Sequence, residues 1–264
     1  MVESLQELNK IVQKPDYKTQ GNWMVRHILR DAALPITWLL LHTPVTANQV
    51  TLGSLAVGLL GVCLLAFPGA GFFLTACLLL QLWYLLDHVD GQIARYRGAS
   101  GITGRFFDFV MHHVLHGTFF FSLGFYGYNR FHHVAFILIG FLGSLSAIVF
   151  NLMHDVKCKA FVEKIMQHAS LRVKRGEKEP RERETGIRRR VFSQLHKLAE
   201  FHVVMNIFTG FALVQSFSGS AWDARFGLLI FHGALNPVLP VAKIIYWIVN
   251  KAPDREFEDT FQTS

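Results

Sequence analysis

The stretch Ala70-Gly-Phe-Phe-Leu-Thr-Ala-Cys-Leu-Leu-Leu-Gln-Leu-Trp-Tyr-Leu-Leu-Asp87-His-Val-Asp90-Gly91-Gln-Ile-Ala94-Arg95 runs from an apolar segment into two carboxylates without a break. At 1.5 Å per residue, Ala70–Leu86 is close to the ~20 residues that cross a ~30 Å hydrocarbon layer. A continuous helix would therefore carry Asp87 and Asp90 to the rim of a membrane. Carboxylates are expensive at that depth, so they need a partner.

The rest of the chain agrees with a membrane setting. It has 264 residues, 51% hydrophobic and only 17% charged, which is more apolar surface than one soluble core of this size requires. Six spans are expected: Asn48 to Phe67, Ala70 to Leu86 with a polar continuation, Phe106 to Phe125, Val134 to Met153, Phe201 to Phe217, and Phe226 to Val249. Ahead of them, residues 22–43 mix Trp23, Met24, Ile28 and Leu29 with Arg26, His27 and Arg30, the pattern of an amphipathic helix lying in the interface. The expected fold is thus an all-α integral membrane protein with six transmembrane helices after an N-terminal interfacial helix. It forms one domain, with residues 1–21 and 250–264 as cytoplasmic ends and 46–249 as the core. The start, MVESLQELNK, lacks the basic and apolar regions of a secretory signal. Three cysteines, two of them inside expected spans, point to neither a disulfide framework nor a thiolate metal site.

Charge orients the chain. With six spans, the loops on one side hold only Arg130 and Arg225 of the 26 Lys and Arg residues, so the opposite side and both termini are expected to be cytoplasmic. The basic loop 155–200 contains Arg188, Arg189 and Arg190, but Glu177, Glu179, Glu182 and Glu184 interrupt it. A loop that fixes topology against anionic headgroups accounts for it without nucleic acid.

Chemistry concentrates in Asp87-x2-Asp90-Gly91-x2-Ala94-Arg95, followed after eight residues by Gly104-x3-Asp108-x3-His112. Steps of three and four residues bring Asp87, Asp90, Gly91 and Ala94 to one helix face, and Asp108 and His112 to one face of the next helix. The short linker with Gly98 and Gly101 lets the two faces meet as an antiparallel pair. Three carboxylates gathered in a poorly hydrated place call for a positive charge, and a hard divalent cation, Mg²⁺ or Mn²⁺, fits oxygen ligands and leaves positions open for phosphate. Gly91 and Ala94 leave room for a nucleotide, and Arg95 offers a fork to its phosphate.

These residues resemble the signature of the CDP-alcohol phosphotransferases, D-x2-D-G-x2-A-R-x8-G-x3-D-x3-D, at every position but the last. Thr46-Ala-Asn48-Gln-Val-Thr51 is similar to the family's P-N-x-x-T/S, with Ala47 in place of proline. The resemblance implies a metal-dependent transfer of a phospho-alcohol group, phosphatidyl or phosphobase, from a CDP-linked donor to an alcohol in phospholipid biosynthesis, with release of CMP. It implies metal binding by Asp87, Asp90 and Asp108. Donor binding would involve Asn48, Thr51, Asp87, Gly91, Ala94, Arg95 and Gly104. Donor or acceptor, at least one, would be a lipid, and the enzyme a homodimer. It would sit in the inner membrane of a prokaryote or the endomembranes of a eukaryote.

His112 stands where the family has its final Asp. Three roles stay open for it: the base that deprotonates the acceptor beside Asp108, a metal ligand, or the mark of a lost activity. Two rival readings of the whole chain stay open with it, a CDP-binding homologue without turnover and a metal-ion transporter. His113 and His116 are expected to pack or to line a substrate cavity. Asn151, His202, Asn206, Thr209, Asn236 and Lys243 are expected to be mostly interhelical hydrogen-bond partners or interfacial snorkels, with lining of an acceptor pocket as the lesser alternative for some, and Pro237 and Pro240 are expected to kink the last span.

Overall fold

The computed structural model describes residues 2–13, 23–99, 101–167, 171–173, 200–219 and 223–263. They form α1 (Leu5–Val12), a π-helical turn (Val25–Leu29) running into α2 (Arg30–Leu41), α3 (Ala47–Leu65), α4 (Ala70–Tyr96), α5 (Ile102–Phe131), α6 (Ala135–Gln167), α7 (Phe201–Ser218), α8 (Ala224–Val249) and α9 (Ala252–Thr260). A single antiparallel ribbon pairs β1 (Leu171–Val173) with β2 (Phe261–Thr263).

Five of these helices, α3, α4, α6, α7 and α8, are long and apolar enough to cross a membrane. The 30-residue α5 is long enough too, but its first half carries Arg105, Asp108, His112, His113 and His116, which lowers its hydropathy. Near the N-terminus, Ser4 and Glu7 form a capping box that starts α1. One expectation needs correction. The polar segment 155–200 is not all loop, since α6 continues to Gln167; the arginine run at 188–190 lies outside the described residues. α8 runs through Pro237 and Pro240 as one helix.

Local chemistry sets the boundaries. Thr46 and Gln49 cap α3 reciprocally, with Thr46 N donating to Gln49 Oε1 at 2.8 Å. The turn between α3 and α4 contains Pro68 and Gly69, whose φ of 118° only glycine takes without strain. Arg225 at the start of α8 locks this turn: its guanidinium is fully buried, donates to the carbonyls of Phe67 and Gly69, and pairs with Asp223 at 2.6 Å. Its guanidinium also lies 4.0 Å from the ring centre of Tyr126.

The main core collects Leu80 and Trp83 of α4, Leu115 and Phe119 of α5, and Met205 and Phe208 of α7. α5 and α6 approach closely enough that a methyl on Gly140 would fall 2.6 Å from Gly124 Cα. A second core lies under α1 and α2, where Val25, Leu29, Ala33, Thr37 and Leu41, spaced by four, form the buried stripe of the interfacial segment.

Candidate active site

α3 packs against both α4 and α5, whereas the two motif helices make little backbone contact with each other. The expected tight antiparallel pair is therefore opened into a gap bridged by side chains. Gly58 of α3 makes this possible, since a Cβ there would meet Leu115 at 2.8 Å and the Trp83 ring at 3.1 Å.

At the polar end of the gap, the carboxylates of Asp87 and Asp108 and the imidazole of His112 each offer an atom within 4.8 Å of the others. His112 Nε2 lies 3.7 Å from Asp87 Oδ1, and Nδ1 lies 3.2 Å from Asp108 Oδ1. Nδ1 is also 3.1 Å from the Asp108 carbonyl, one helical turn back. A ring that donates Nδ1–H to Asp108 carries its lone pair on Nε2, facing Asp87. Two acidic oxygens and an imidazole nitrogen from facing helices are a donor set suited to a divalent cation.

Asp90, one turn along α4 from Asp87, lies outside the group of atoms that fall within 4.8 Å of one another. Its carboxylate accepts a 2.7 Å hydrogen bond from Thr51 Oγ1 of α3. Thr51, 5% exposed, thus reaches the site through Asp90. Asn48 faces Gly104, where a Cβ would come 3.8 Å from Asn48 Oδ1. Beside Gly91, the space that a side chain would fill is taken by Arg95, whose Nη1 would lie 3.2 Å from an added Cβ.

These residues surround a cavity of about 450 Å³ that includes Asn48, Thr51, Asp87, Asp90, Gly91, Ala94, Arg95, Gly104 and Asp108. It also includes Gln13, Arg30, His88, Gln92 and Arg105, which the sequence reading did not single out. Gln92 and Arg30 enter together, because Gln92 donates to the Arg30 carbonyl at 3.0 Å and accepts from Thr37 at 2.7 Å, fastening α2 to α4. Lone polar residues on a helix next to a known motif give no sequence signal that separates them from solvated ones.

A second cavity, about 290 Å³, has His112 on its wall. Trp83, His116, Asn151, Phe201, His202 and Asn236 are among its walls. His116 is held there by Asn151 at 2.7 Å and stacks on Phe201 with ring centres 4.0 Å apart. His202 pairs with Glu200 at 3.2 Å. His113 instead faces Asp155, also at 3.2 Å. Asn206 and Thr209 are interhelical partners, each accepting from Gln81 of α4, and the Lys243 ammonium lies 4.3 Å from the Phe150 ring centre.

Residues 44–173 match the sequence profile of the CDP-alcohol phosphatidyltransferase family, over the segment that carries the whole signature. The fold is similar to the crystal structure of Mycobacterium tuberculosis phosphatidylinositol phosphate synthase (PgsA1) with CDP-DAG bound. That similarity has a TM-score of 0.56 at 17% identity, over 83% of this chain and 94% of that one. No curated protein matches the chain in sequence. The profile match supports a transferase of substituted phosphate groups that acts on a CDP-linked donor in phospholipid synthesis, the likeness to the solved structure is one of fold, and five helices long and apolar enough to cross a membrane fit a multi-pass membrane protein.

Proposed function

We propose that the 450 Å³ cavity binds the CDP part of the donor and that the Asp87–Asp108–His112 trio holds the cation that activates it. The observation that carries this reading is that trio, drawn from two helices and opening onto a cavity that the signature residues line. Mg²⁺ or Mn²⁺ bound there would neutralise the donor diphosphate and the charge that develops on departing CMP. Asp90, held by Thr51, completes the acidic wall, Ala94 and Gly104 keep the backbone open to the nucleotide, and Gly91 leaves room for the Arg95 guanidinium that meets it. Asn48, Thr51 and Arg95 border the same space, and Arg95 faces the diphosphate.

The alcohol acceptor enters from the 290 Å³ cavity, which has His112 on its wall. Its oxygen attacks the phosphorus that carries the transferred alcohol, and the bond to CMP breaks. A second reading has His112 Nε2 take the acceptor's proton, with Asp108 orienting the ring; it is favoured by His112 being the one member of the trio on the wall of that cavity.

In this reading α5 is the sixth span, residues 22–43 lie in the interface, and residues 1–264 work as one domain. The site and both ends are cytoplasmic, as the Lys and Arg asymmetry argues. The enzyme is a homodimer of the prokaryotic inner membrane or of eukaryotic endomembranes, with a lipid as donor or acceptor. Purified protein in detergent, given Mn²⁺ or Mg²⁺ and a panel of CDP-alcohols and acceptors, releases CMP. Chelation with EDTA or Asp108→Ala stops it. Binding of CDP without release from any donor would point to a homologue that has lost turnover, and Mn²⁺ flux into liposomes without CMP would point to a transporter.

A further inference from the structure

α1 sits directly behind the signature. Leu8 and Val12, one turn apart and both fully buried, pack with Ala33 of α2 and with Val89 and Ile93, which flank Asp90 and Ala94 on α4. Three hydrogen bonds pin the helix to the same elements. Tyr96 Oη donates to the Glu3 carboxylate at 2.6 Å, and Trp38 Nε1 donates to the Glu3 carbonyl at 3.0 Å. Arg95 Nε donates to the Val12 carbonyl at the last turn of α1. The next residue, Gln13, is itself part of the 450 Å³ cavity wall, together with Arg30 and Arg95.

The bond to Val12 decides how Arg95 can act. A guanidinium has a fixed fork of donors, so anchoring Nε fixes the plane in which the two Nη atoms lie. Here they lie beside Gly91, on the cavity side of α4. The helix C-terminus contributes as well, because an unsatisfied terminal carbonyl is a good acceptor for a cation. A floppy arginine would lose side-chain freedom each time it met a diphosphate, whereas one held by Val12 has already lost it.

We infer that α1 is a working part of the nucleotide site: docked by Leu8, Val12 and Glu3, it presets Arg95 and supplies Gln13 to the wall that receives the diphosphate of the CDP-linked donor. This rests on the proposed assignment of the 450 Å³ cavity to CDP. Arg95 is the group that meets the ligand, and Glu3, Leu8 and Val12 are positioning residues.

The test is titration of CDP, with Mn²⁺ present, into full-length wild type, Leu8→Glu, Arg95→Ala and the double variant in detergent. Leu8→Glu undocks α1 and weakens CDP about tenfold, Arg95→Ala does the same, and the double variant is no weaker than either single one. Glu3→Gln, a milder change that keeps the apolar contacts, weakens CDP about threefold and raises the donor KM without changing the acceptor KM. Leu8→Met restores wild-type binding. Wild type that binds no CDP overturns the nucleotide assignment and this inference with it. CDP binding unaffected by Leu8→Glu and Glu3→Gln, or losses that simply add in the double variant, overturns the inference alone.

Discussion

Asp87 of α4 and His112 of α5 face each other with Oδ1 and Nε2 3.7 Å apart, across a gap that the backbones of their helices do not close. The contact joins the two halves of the signature and lies between the two cavities. Under the proposed cation site, the contact predicts how the protein will choose its metal.

An imidazole is a softer ligand than a carboxylate, so the trio should favour Mn²⁺ over Mg²⁺ more than an all-carboxylate site does. His112→Asp should keep CMP release and lower the ratio of Mn²⁺-supported to Mg²⁺-supported rates by about tenfold. Initial rates with each metal at saturation measure the ratio. An unchanged ratio would leave His112 outside the metal's coordination and favour its role as base.

Thr51 holds Asp90 through one short hydrogen bond, and groups that orient ligands commonly matter 10- to 100-fold. Thr51→Val keeps shape and removes the donor. It should lower the CMP release rate by about tenfold or more while thermal stability changes little, whereas Thr51→Ser should retain most of the rate.

The smaller cavity gives a way to separate acceptor from donor. Ala147 is on its wall, whereas Asp90 and Arg95 line the larger one. Ala147→Trp should fill much of the space and raise the acceptor KM by about tenfold, with the donor KM unchanged. A matched rise in both constants would show that the two cavities do not divide the substrates.

The clamp between Asp223 and Arg225 is a stability element remote from the chemistry. Burial pushes the Asp223 carboxyl up, but the hydrogen bond and charge of Arg225 outweigh it and hold the group below its usual range. A carboxyl with a depressed folded value contributes fully above its unfolded value near 3.9 and loses that contribution as pH falls through the folded one. Melting temperature should therefore be level from about pH 5 to 8 and fall below about pH 4. Asp223→Asn leaves the buried guanidinium without its counter-charge and should cost about 3 to 5 kcal/mol at neutral pH, with a flatter acid limb. Thermal unfolding in detergent across pH checks both statements.

The span positions were legible because hydropathy and length are strong signals, and α3, α7 and α8 begin and end within a few residues of expectation. α4 and α5 run on through the signature, which hydropathy alone ends too early at Leu86 and starts too late at Phe106. The spacing of Asp87, Asp90 and Asp108 told which residues share a face, but it could not tell that α3 would wedge the two helices apart at Gly58. α1 went unread because eight residues are too few to hold a helix by themselves, even with Leu5, Leu8 and Val12 at helical spacing, and its place is set by tertiary partners 35 to 93 residues away, Trp38 and Tyr96 for Glu3.

Pulsed electron paramagnetic resonance of Mn²⁺ bound to the detergent-solubilised protein addresses the cation trio directly. Wild type should bind Mn²⁺ and show coupling to a ¹⁴N nucleus, which His112→Asp should remove while Mn²⁺ stays bound. Failure to bind Mn²⁺, or bound Mn²⁺ with no nitrogen coupling in the wild type, would contradict a cation held by Asp87, Asp108 and His112.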